Sequence, residues 1–98
     1  MKVTIHQPKG KAVTLKIEGR VFGLVVPELQ RAWQDLLAPS LGSRKLFVDI
    51  CGVTSIDATG KRLLAEIHSK TGAEFLANTP LTKYFAEQAQ QDIRTQSR

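Results

Sequence analysis

Residues 47–64 read FVDICGVTSIDATGKRLL, and this stretch decides the fold. The apolar run Phe47-Val48-Asp49-Ile50 has the character of a strand. A short polar turn follows, holding Asp57, Ala58, Thr59 and Gly60. Behind it come two cations, Lys61 and Arg62, and then the apolar pair Leu63 and Leu64. A strand that enters a helix through a tight polar turn is one half of a β-α unit. The turn also sets a chemical problem: it places a hydroxyl and a carboxylate at the mouth of a helix with no general base nearby in sequence.

Reading outward, Lys45–Ile50 is almost continuously apolar, as central parallel strands covered on both faces are. Gly60–Lys70 has Leu63, Leu64 and Ile67 at helical spacing, and Gly72 closes it. On this reading Phe47 and Leu64 belong to one core. Upstream, Lys2–Gln7 and Ala12–Glu18 alternate in polarity on either side of the turn Pro8-Lys9-Gly10-Lys11, which predicts an antiparallel hairpin. Gly19–Val26 reads as a packed loop or a bent continuation of the second strand. Pro27 suits the first position of a helix, and Leu29, Ala32, Trp33, Leu36 and Leu37 give that helix one apolar face. Pro39 and Gly42 are its stop signals. Downstream, Ala73–Ala77 is a short apolar strand, and Thr79-Pro80 signals a helix start. Leu81, Tyr84, Phe85 and Ala89 share a face of that last helix. From Gln90 the chain turns polar, and residues 90–98 are expected to fray. The order β β α β α β α over residues 1–98 predicts one α/β domain, a small and mostly parallel sheet with an N-terminal hairpin and helices packed against it.

Bulk properties narrow the function. The chain has 98 residues, 42% of them hydrophobic and 23% charged, which is ordinary globular composition. The single cysteine, Cys51, cannot form an internal disulfide and fits a reducing, cytoplasmic setting as a small buried hydrophobe. His6 and His68 lack ligand-spaced neighbours, so no metal site is expected. MKVTIHQPKGK lacks the apolar core of a signal peptide, and no run is long enough for a membrane span, so no direct membrane insertion is expected. The formal net charge is +5. Its cations come in scattered pairs without interleaved aromatics, which favours a basic surface or an acidic protein partner over nucleic acid.

The chain has no Walker loop and no GxGxxG sequence, and Thr59 has no histidine near it in sequence to act as a base. The carboxylates Asp49 and Asp57 are a weak signal for acid–base or Mg²⁺ chemistry. The expectation is therefore a protein that is not an enzyme and holds no cofactor.

With those residues laid out, the stretch resembles the STAS domain, the family named for sulphate transporters and anti-sigma factor antagonists. Phe47-Val48-Asp49-Ile50 is similar to its strand ending in Asp. Val53-Thr54-Ser55-Ile56-Asp57 is similar to its hydrophobic step, and Asp57-Ala58-Thr59-Gly60 to its phosphorylatable turn. Gly19-Arg20-Val21 and Gly72-Ala73-Glu74-Phe75-Leu76 extend the resemblance over roughly residues 11–88. Ala58, Lys61 and Phe22 depart from the usual pattern. The resemblance implies a STAS-like fold and an anti-sigma factor antagonist. Such a protein binds an anti-sigma factor serine/threonine kinase and is switched by phosphorylation at Thr59, with a phosphatase as a further partner. Asp49, Asp57, Ala58, Gly60, Lys61 and Leu64 would then brace the turn or face the partner. Thr59 also has a simpler reading, as the N-cap of helix 60–70. The family offers a second implication, a subunit docked on a membrane transport complex without phosphorylation; a small-molecule or nucleotide-binding module is a third class. An open sheet edge after Gln88 would favour a homodimer.

Overall fold

The computed structural model describes the backbone of residues 1–96 and the side chains of residues 1–90. Strands β1 (Lys2–His6) and β2 (Val13–Val21) form the antiparallel hairpin, with Lys2 opposite Glu18 and His6 opposite Thr14. A helical stretch follows, made of α1 (Val26–Arg31), a π-helical segment (Ala32–Leu37) and α2 (Ala38–Leu41). Then come β3 (Leu46–Ile56), α3 (Ala58–Thr71), β4 (Glu74–Leu76) and α4 (Pro80–Gln96). The sheet order is β1-β2-β3-β4, with β3 parallel to both β2 and β4. This is the α/β architecture and element order expected from the sequence.

Period-two patterning divides the sheet into two unlike faces. Val13, Leu15 and Ile17 of β2 and Leu46, Val48, Ile50 and Val53 of β3 are buried, in one cluster with Leu29, Trp33, Leu64, Ile67 and Ala89 from the helices. The other face carries Thr14, Lys16 and Glu18 of β2 and Phe47, Asp49 and Cys51 of β3, which are half-buried or exposed. The expectation of a strand covered on both faces is therefore corrected. The apolar run is nearly continuous because Phe47 and Cys51 stand on the open face. Phe47 does not share the core with Leu64, and the Lys45 amine lies 5.8 Å from the centre of its ring. Lys45 also pairs with Glu74 at 3.2 Å.

The first helix departs from its predicted face and from its predicted end. It runs through Pro39 and stops at Leu41, just before Gly42. Proline lacks the N–H for an α-helical bond and its ring crowds the carbonyl four residues back. The π-helical segment widens the turn just before that position, where the Ala38 N–H donates to the Trp33 carbonyl. The wide turn selects a stripe at four-residue spacing: Leu29, Trp33, Leu37 and Leu41 are buried, and Leu36, placed inward by the sequence pattern, is 64% exposed.

β3 is longer than predicted and runs without a break to Ile56, so α3 begins at Ala58. Gly72 closes α3 in the left-handed region at φ 70°, as its position in the sequence suggests. Thr79 caps the start of α4: its hydroxyl accepts the Thr82 N–H at 3.0 Å, and the buried Thr82 hydroxyl accepts the Asn78 and Thr79 N–H groups at 3.1 Å each. The backbone of α4 continues past Gln90 to Gln96. Most of the segment expected to fray, 91–98, lies outside the residues whose side chains are described.

Candidate functional site

The site lies at the carboxyl end of β3, where the parallel strand delivers the chain to α3. Asp57 is the N-cap of α3, in extended conformation (φ −96°, ψ −178°). Its Oδ1 accepts the Gly60 N–H at 2.8 Å, and its Oδ2 accepts the Gly23 N–H at 2.8 Å. Its own N–H donates to the Val21 carbonyl at 3.0 Å. One residue thus joins the turn after β3 to the turn after β2, 34 positions away. Both carboxylate bonds favour the ionised acid, so the N–H groups of Gly60 and then Gly23 hold the Asp57 carboxyl below its ordinary range.

This arrangement corrects the cap assignment. Thr59 does not cap the helix; it lies in the first turn and is exposed. Among the described residues no hydrogen bond engages its hydroxyl. Ala58 is exposed beside it, and Lys61 is half-buried one residue past Gly60.

Two further site expectations change. Gly60 is buried, and a Cβ there would fall 2.8 Å from Val21 Cγ1 and 2.9 Å from the Val21 carbonyl. Its missing side chain lets α3 approach the end of β2, so it opens no room for a partner. Leu64 has no exposed surface and belongs to the core, where it ties α3 to the sheet. It cannot face a partner in this fold. Asp49 is also set apart, on the open sheet face eight residues earlier in β3. Its Oδ1 accepts the Cys51 N–H at 2.9 Å, so it braces its own strand rather than the turn. Cys51 is half-buried beside it, with Sγ 3.5 Å from the Leu76 carbonyl. Desolvation, followed by the Asp49 contact, pushes its thiol up and away from the reactive thiolate.

The turn thus gathers Asp57, Ala58, Thr59, Gly60 and Lys61, and the structure adds residues that sequence reasoning had not assigned to it. Gly23 is held by Asp57, and the Arg20 guanidinium stacks over Phe22 at 5.2 Å, next to that loop. A cleft of about 210 Å³ opens between the start of α3 and α4, lined by Ile56, Asp57, Ala58, Lys61, Tyr84, Phe85 and Gln88. The glycine of Phe22-Gly23 was the available signal for the loop. Nothing in the helical periodicity of Tyr84 and Phe85 marks them as cleft residues, because an inward aromatic and a cleft-lining one have the same spacing. Among the described residues no His/Cys/Asp/Glu group is placed to hold a metal ion, and no helix is long and apolar enough to cross a membrane.

No protein-family model and no curated protein matches the chain. Among solved structures it is similar to an uncharacterised protein of the DUF3478 family with a SpoIIAA-like fold, from Shewanella loihica PV-4. The TM-score is 0.47 at 13% identity, over 85% of this chain and 71% of that one.

Proposed function

We propose that the chain is a STAS-type regulatory domain and that Thr59 is its switch: an anti-sigma factor kinase binds the 57–61 turn and phosphorylates the threonine. On this reading the protein is a substrate and binding partner rather than an enzyme, and it works in the cytoplasm. The observation that carries the reading is the division of labour in the turn. Asp57 does the capping, which leaves Thr59 exposed and, among the described residues, its hydroxyl uncommitted. A hydroxyl that is to be modified needs access and no base of its own.

A phosphate at this place agrees with the local electrostatics. The start of a helix carries unpaired N–H groups and the positive end of the dipole, so a charge of about −2 is tolerated there without unfolding the domain. Lys61 and Arg62 follow immediately. The added charge would act on the partner instead, by repulsion and by the cost of desolvating it in an interface.

The test is to recover the kinase from the native host with the chain as bait, incubate the two with ATP and map the modified residue by mass spectrometry. The expected result is phosphate on Thr59, with Thr59→Ala still bound and unmodified and Thr59→Glu bound more weakly. A bound, active kinase that leaves Thr59 unmodified would overturn the switch and point to the subunit of a transport complex.

A further inference from the structure

The cleft beside the turn has the size and the rim chemistry of an anchor site. We infer that it accepts one large apolar side chain presented by an acidic segment of a protein partner. The inference rests on the reading of 57–61 as the partner-facing turn, and does not need Thr59 to be phosphorylated.

Size comes first. At about 210 Å³ the cleft is smaller than the roughly 300–1,000 Å³ of sites that enclose a whole small molecule, and it is open to one side. That room suits a single side chain inserted from a neighbouring surface. The walls suit it as well: Ile56 and Ala58 on one side, Tyr84 and Phe85 on the other, the two rings 6.3 Å apart and tilted. Leu81 and Tyr84 continue this face of α4 into solvent, 50% and 55% exposed. Aromatic anchors set in a polar rim are the usual composition of the centre of a protein interface.

Charge selects the partner. Asp57 is the acid of the cleft, and its two oxygens are already engaged by the N–H groups of Gly60 and Gly23. Lys61 lines the cleft and Arg62 follows it. The described ion pairs, Lys16–Glu18, Lys45–Glu74 and Lys70–Glu66, involve neither of these cations. The start of α3 adds the positive end of its dipole. Lys61 is thus the cation of the rim left for a partner, while the Asp57 carboxylate is turned onto backbone N–H groups, and an ammonium beside an apolar floor is complementary to carboxylates flanking a large apolar side chain.

Amide chemical shifts of the full chain, followed during titration with three short synthetic peptides, test the assignment. One peptide has a central Phe between glutamates, one has the same Phe between lysines, and one has glutamates around a Gly-Gly centre. The first is expected to shift Lys61, Tyr84 and Phe85, and the other two to leave them in place. Tyr84→Ala and Lys61→Gln should each weaken that binding by about five- to tenfold, and raising NaCl from about 0.05 to 0.5 M should weaken it further. Both side chains are at least partly exposed, so the variants should keep the melting behaviour of the parent. Equal binding of all three peptides, binding insensitive to Tyr84→Ala, or shifts confined to the open sheet face would overturn the pocket. If the kinase binds and modifies Thr59 while the Phe peptide leaves the cleft unmoved, the pocket falls and the switch stands. If the Phe peptide fills the cleft while the kinase ignores the turn, the switch falls alone.

Discussion

Asp57 uses one carboxylate to hold two turns, and both bonds are stronger to the ionised form. Its folded-state pKa is depressed, so the stability it contributes is fully present above the ordinary aspartate value of 3.8 and is lost as pH falls through the lower folded value. Asp57→Ala should therefore lower stability at neutral pH and make the acid limb of unfolding shallower, measured by circular dichroism at a series of pH values. Equal limbs in variant and parent would mean that the clamp does not form in solution. The neighbouring threonine should behave differently. Thr59→Ala removes no cap and no described bond, so its effect should stay within about 0.5 kcal/mol. A loss of about 1–2 kcal/mol in urea melts would restore it as the cap. At Gly60 two effects compete. Alanine is the better helix former by about 1 kcal/mol, but its Cβ would be pressed to 2.8 Å and 2.9 Å from Val21 atoms. Overpacking of that kind costs about 1–3 kcal/mol, so Gly60→Ala should come out net destabilising. The Asp-x-Thr-Gly spacing displayed the turn plainly in the sequence. It could not display which oxygen caps, because Asp57 and Thr59 are both good caps, and the choice fell to Gly23, an N–H contributed from 34 residues away.

At the scale of elements, local pattern was enough to locate every strand and helix, and tertiary context moved their ends. β3 outran its apolar run because β2 pairs with it as far as Val21 and Ile56, across two register shifts. Thr54 and Ser55 are exposed there and gave no apolar signal. The first helix misled for a different reason. A period of 3.6 residues puts Leu36 and Leu37 on the same face, and only the wider π-helical turn separates them. That separation is measurable. Leu37→Ala should cost about 2–5 kcal/mol as a fully buried truncation, and Leu36→Ala less than about 0.5 kcal/mol as a surface change. Equal losses in denaturant melts would mean that the helix is α-helical throughout and rotated from the geometry described.

For the molecule as a whole, one cluster joins the inward face of the sheet to residues from every helix, and the single tryptophan, Trp33, sits in it at 4% exposure. A domain with one core should unfold in one step. Trp33 fluorescence and far-ultraviolet circular dichroism should therefore trace the same urea transition, and separated midpoints would show that the hairpin and the helical layer melt independently. The π-helical segment also bears on how the chain tolerates a change of length. Removing one residue from a helix ordinarily turns everything after it by about 100° and exposes the apolar stripe. Here the buried set Leu29, Trp33, Leu37 and Leu41 is spaced by fours. Deleting the exposed Gln34 would respace it as four, three and four, which is the repeat of an unbroken α-helix. With Pro39 replaced by alanine in the same chain, so that no ring obstructs the narrower turn, this helix should adopt a shorter, regular form that presents the same four side chains to the core, and a melting temperature far below that of the parent would show that it does not.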